Sequence, residues 1–111
     1  MENDLIEKLL TVAHDVGKGK IPEYQHYECY TSGAFDTLLL RKRGAEAFQT
    51  LETLCSRYEQ IKNDASFLRG YLILLGAVAP LTETTELPKG MRIILLENAD
   101  SSPDLKRWYR F

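Results

Sequence analysis

The stretch from Asn63 to Pro80, NDASFLRGYLILLGAVAP, limits what this chain can fold into more than any other. No charged side chain lies between Arg69 and Pro80, and Leu68, Leu72, Leu75 and Ala79 fall on one helical stripe while Tyr71, Leu74 and Val78 fall on the next. A helix apolar over more than half its circumference has to be covered from several sides, so the segment predicts the central helix of a bundle. Asn63, Asp64 or Ser66 suits its N-cap, and Pro80, which has no N–H to donate to the preceding turn, ends it. Gly70 and Gly76 each cost about 1 kcal/mol relative to alanine in a helix interior. Their use is then to let neighbouring backbones come close. The apolar run is about half of the roughly 20 residues a membrane span needs, so it reads as core rather than membrane.

Helical spacing recurs on both sides of this segment. Leu5, Ile6, Leu9, Val12, Ala13 and Val16 repeat every third or fourth residue, with Asn3 or Asp4 as cap and Gly17 as stop. Pro22 at a first helical position starts a short helix carrying Tyr24, Tyr27 and Tyr30. Thr31 or Ser32 caps another, with Phe35, Leu38 and Leu39 inward and Arg41, Lys42 and Arg43 in its last turn, where positive charge suits the dipole. After a break at Gly44, the residues Ala45, Phe48, Leu51, Cys55 and Tyr58 mark the buried stripe of a further helix, with Leu54 beside it.

MRIILLEN, residues 91–98, fits strand or helix by its apolar run. No other segment offers a strand partner for its backbone groups, so helix is expected. Ser102-Pro103-Asp104 opens a last helix with Leu105, Trp108 and Tyr109 inward. The expected fold is all-α: a single compact bundle of five to six helices over residues 1–111, with the central apolar helix at about 64–79.

At 111 residues and 44% hydrophobic composition, one core is affordable without metal or disulfide staples. Cys29 and Cys55 stand alone, without CxxC spacing or a nearby histidine pair, and are expected as small buried thiols. The N-terminal MENDLIEKLL is acidic and lacks the basic region and apolar block of a secretory leader, so a cytoplasmic location is expected. A net charge of −2 and a pI near 5.7 argue against a nucleic-acid binder that neutralises phosphates, and favour a basic partner.

The string His14-Asp15-Val16-Gly17-Lys18, followed by Ile21-Pro22, resembles the His-Asp motif of the HD-domain metal-dependent phosphohydrolases. The resemblance implies a divalent-metal site at a helix end that activates water for phosphoester cleavage. Those enzymes add a histidine from a helix upstream and an aspartate from one downstream. No histidine precedes His14 here, and the only other one, His26, follows the motif in a tyrosine-rich stretch. One His and one Asp fall short of the three or more protein ligands such a cage needs. Read from the residues alone, His14 is a helix-end histidine whose cation the dipole favours.

GKGK at residues 17–20 lacks the spacing of a phosphate loop and follows a helix rather than a strand. Cys29 lies three residues after His26, with nothing to activate its thiol. Arg41-Lys42-Arg43 and Lys106-Arg107-Arg110 are small basic clusters that suit helix ends, or else an anion or RNA, which makes a small-anion or nucleic-acid binder a third reading.

Glu23-Tyr24-Gln25-His26-Tyr27-Glu28-Cys29-Tyr30 interleaves tyrosines with acids. Tyrosine supplies large contact area with a polar tip, so Glu23, Tyr24, Tyr27, Glu28 and Tyr30 form the expected partner-binding face, complementary to a basic protein surface. The same rings also suit a bundle cap with their hydroxyls in water. No complete catalytic set is legible and no cofactor or metal is implied beyond the His14-Asp15 motif. The function expected is a non-enzymatic interaction module of the inhibitor or immunity type that occludes a partner. The alternative is a reduced HD-type hydrolase using His14 and Asp15, and self-association stays open.

Overall fold

Apolar residues at helical spacing draw Glu2–Gly17 into helix α1, which buries Ile6, Leu9 and Ala13 completely and Val16 almost so. The computed structural model describes residues 2–19, 39, 42–84 and 86–98, and these are mostly helical, with no strand among them. They continue with α2 (Ala45–Cys55), the single-turn α3 (Tyr58–Ile61), α4 (Ala65–Val78), a 3-10 turn (Ala79–Thr82) and α5 (Lys89–Asn98). The radius of gyration, 12.7 Å, is that of a compact chain. Residues 91–98 are therefore helical, as expected. The tyrosine-rich stretch, the helix expected after Thr31 or Ser32 apart from buried Leu39, and the last helix lie outside the described residues.

Helix α4 packs against α1, α2, α3 and the 3-10 turn. Asp64 caps it, accepting from the Phe67 N–H at 3.1 Å. Tyr71, Leu74, Leu75 and Val78 are fully buried, and Leu72 is 4% exposed. At Pro80 the α-helical ladder gives way to the 3-10 turn, which ends with Glu83 in the left-handed region at φ 58°. By length and composition Ala65–Thr82, 18 residues of mean hydropathy 1.5, is long and apolar enough to cross a membrane. Core helices of water-soluble bundles meet the same test, and these residues form much of the core.

Several sequence expectations shift by a turn. Asn3 and Asp4 lie inside the first turn of α1 rather than capping it. Gly17 does not stop the helix: it is the last helical residue, and Gly19, at φ 72°, makes the left-handed exit while its N–H bonds the Val16 carbonyl at 3.0 Å. Gly17 is needed for packing instead. A side chain there would run into the Ser66 carbonyl, and one at Gly70 into the Ala13 carbonyl. Ala13 and Gly17 thus meet Ser66 and Gly70 with backbone against backbone, each pair four residues apart. Gly76 faces open space, contrary to its expected role in close approach.

The helix expected to run unbroken from Ala45 to Tyr58 is interrupted. At Ser56 and Arg57 the ladder tightens to three-residue bonds, with the Arg57 N–H on the Leu54 carbonyl at 3.0 Å. Its buried face is Ala47, Thr50, Leu51, Leu54 and Cys55, while Ala45 is exposed. Thr50 tolerates burial because its hydroxyl donates to the Glu46 carbonyl at 3.0 Å. Gly44 is the N-cap, at φ 57°, and the preceding Lys42 and Arg43 lie in a connection rather than in a helical turn. Lys42 there reaches Glu46 at 4.0 Å.

Candidate functional site

The stripe of α1 beside its buried face carries Glu7, Thr11 and His14, one helical turn apart. With Asp15, these residues form one wall of a groove of about 340 Å³. Arg57, from the α2–α3 junction, and Gln60, from α3, form the other wall, and Leu10, Ile61 and Phe67 supply an apolar floor. Arg57 sits at the helix interruption, and its side chain reaches α1. Its Nη2 donates to Glu7 Oε1 at 2.9 Å. Both side chains keep water access, so the pair is worth at most about 1 kcal/mol.

His14 and Phe67 lie three residues before Gly17 and Gly70, so the close crossing of α1 and α4 brings them together. Their ring centroids are 5.0 Å apart, edge to face at 88°. Thr11 donates to its own helix, at the Glu7 carbonyl, at 2.9 Å. Asp15, half-buried, makes no ion pair or hydrogen bond among the described residues. The groove therefore holds one neutralised pair, one imidazole set against a ring, and one unspent carboxylate over an apolar base.

Of the sequence candidates, His14 and Asp15 do share this groove. Among the described residues no three His, Cys, Asp or Glu side chains are placed to hold a metal ion. Glu23, Tyr24, Tyr27, Glu28 and Tyr30, with His26 and Cys29, lie outside the described residues. Sequence reasoning missed Glu7, Arg57 and Phe67. The i, i+4, i+7 spacing of Glu7, Thr11 and His14 was the available signal for the first; the other two come from distant segments.

A second polar cluster is structural. The Tyr58 hydroxyl donates to Glu97 Oε1 at 2.7 Å and accepts from Asn98 Nδ2 at 3.0 Å, while Asn98 Nδ2 also donates to the Ile94 carbonyl at 2.7 Å. This ties the end of α5 to α3. Burial raises the Tyr58 phenol above its ordinary range, and the Glu97 carboxylate adds to the rise. Tyr71, stacked 6.3 Å from Tyr58, donates to the Leu54 carbonyl at 2.7 Å, and burial raises its phenol too. Burial, helped by Glu52, pushes the Cys55 thiol up to about 12. With its sulfur 4.0 Å from Met91 Sδ, Cys55 is an inert core thiol at neutral pH, as expected.

No protein-family model, no curated protein and no solved structure matches this chain.

Proposed function

We propose that this protein is a small non-enzymatic interaction module, of the inhibitor or immunity type, that binds and occludes a protein partner with a basic surface. The reading takes residues 1–111 as a single domain, a bundle of five to six helices around α4, working in the cytoplasm. One observation carries it: Glu7, His14, Asp15 and Arg57 line an open groove with an apolar floor and, among the described residues, a surplus carboxylate, a shape suited to docking. The net charge of −2 adds electrostatic steering toward a basic surface. Affinity capture from the source cell, followed by reconstitution with the purified partner, tests it. A stoichiometric complex that weakens with salt supports it, and a protein that stays alone and monomeric overturns it.

A second reading, the reduced HD-type hydrolase, is favoured by His14 and Asp15 sharing the groove. Calorimetric titration with a divalent metal separates the two. Binding that disappears in His14→Ala supports the hydrolase, and absence of binding removes it.

A further inference from the structure

We infer that the groove between α1 and the α2–α3 junction takes the cationic side chain of a partner protein, an arginine or a lysine, with Asp15 as its counter-charge. The inference rests on the interaction-module reading and names the anchor that reading leaves open.

Charge decides the class of occupant. Glu7 and Arg57 neutralise each other at 2.9 Å, and among the described residues Arg57 is the only lysine or arginine lining the groove. With histidine counted as neutral, the remaining formal charge among the described lining residues is that of Asp15, so the groove is complementary to a positive group. An anion would have to draw Arg57 off Glu7 and sit beside the Asp15 carboxylate, at a loss on both counts. A metal ion lacks its third ligand among the described residues.

Shape decides between a free ion and a side chain. Leu10 and Ile61, both buried, and half-buried Phe67 form a floor on which the methylene stem of an arginine or lysine can lie with its charged head at the rim. Phe67, edge to face with His14 at 5.0 Å, stands in this lining, and a guanidinium over the open face of its ring would gain a cation–π contact. A groove of about 340 Å³ has room for one long side chain, which suits an anchor residue of a larger interface.

The test titrates N-acetyl-L-argininamide into the full chain and follows the side-chain resonances of His14, Asp15 and Phe67 by NMR. Saturable shifts confined to these residues are expected, with affinity about fivefold weaker in Asp15→Asn and unchanged in Glu86→Gln, an exposed carboxylate outside the groove. Asp15 has no partner to lose among the described residues, so Asp15→Asn should melt like the parent, which a thermal scan checks. Equal affinity in Asp15→Asn, or groove shifts produced by inorganic phosphate instead, would overturn the inference. A captured partner that binds Asp15→Asn as tightly as the parent overturns the groove and leaves the module standing. Argininamide binding in a protein with no cellular partner supports the groove and sinks the module.

Discussion

Replacing Gly70 by alanine sets two effects against each other, and the structure says which wins. In a helix interior the change gains up to about 1 kcal/mol from propensity alone. At Gly70 the added methyl group runs into the Ala13 carbonyl, a backbone atom that cannot rotate away. Helices α1 and α4 must then separate, loosening the packing of Ala13, Val16 and Tyr71, which are 0%, 5% and 0% exposed. Overpacking of this kind costs about 1–3 kcal/mol, and the rigid neighbour puts it at the upper end. Net of the propensity gain, a loss of about 2 kcal/mol follows, or roughly 8–16 °C in Tm for a domain of this size. Gly76→Ala, in the same helix with nothing near the new methyl group, should gain about 0.5–1 kcal/mol. Urea denaturation followed by far-UV circular dichroism measures both. The reasoning fails if Gly70→Ala is neutral or stabilising, or if the two substitutions move stability in the same direction.

Gly17→Ala meets the Ser66 carbonyl at the same crossing, so the Gly17→Ala/Gly70→Ala double variant should lose less stability than the two singles summed; strict additivity by denaturant titration would argue against a shared contact. Asn98→Ala removes the donor to both Tyr58 and the Ile94 carbonyl and should cost about 1–2 kcal/mol. Tyr58→Phe added to it should cost less than Tyr58→Phe alone, because only the hydroxyl's bond to Glu97 is left to lose, and a double-mutant cycle reads the difference directly. Stability should also fall in alkali. The unfolded Cys55 thiol ionises near 9.0 while the folded one holds its proton to about 12, so its contribution is whole below pH 9 and is lost progressively up to pH 12. Tyr58 and Tyr71, also raised, add to the fall above their ordinary 10.0. Denaturation midpoints from pH 8 to 11 should drop, and a Cys55→Ala variant should drop less steeply.

The core was legible in the sequence where periodicity alone decides it. The stripes of α1 and α4, and the helical state of residues 91–98, followed from apolar spacing and from the lack of a strand partner. Gly17 and Gly76 were read in the wrong roles, because a glycine shows the absence of a side chain without showing which neighbour needs the space. The break at Ser56 and Arg57 was hidden because both residues are compatible with a helix, and the stripe Ala45–Phe48–Leu51 reads as regular. Of the candidate site, the α1 contribution was half visible through His14 and Asp15. Arg57 and Phe67 were not, since their arrival depends on the helix interruption and on how closely α1 crosses α4, both tertiary events.

The most direct measurement is site-specific photocross-linking in the source cell. With p-benzoylphenylalanine in place of Thr11, exposed on the rim of the groove, we expect one specific adduct to a protein partner. Its linked peptide should contain an arginine or lysine, and the adduct should disappear in the Asp15→Asn background. The same label in place of Tyr24 reports on the tyrosine-rich stretch. No adduct at either position, with divalent metal bound in a His14-dependent manner, would contradict a binding role and favour the hydrolase reading.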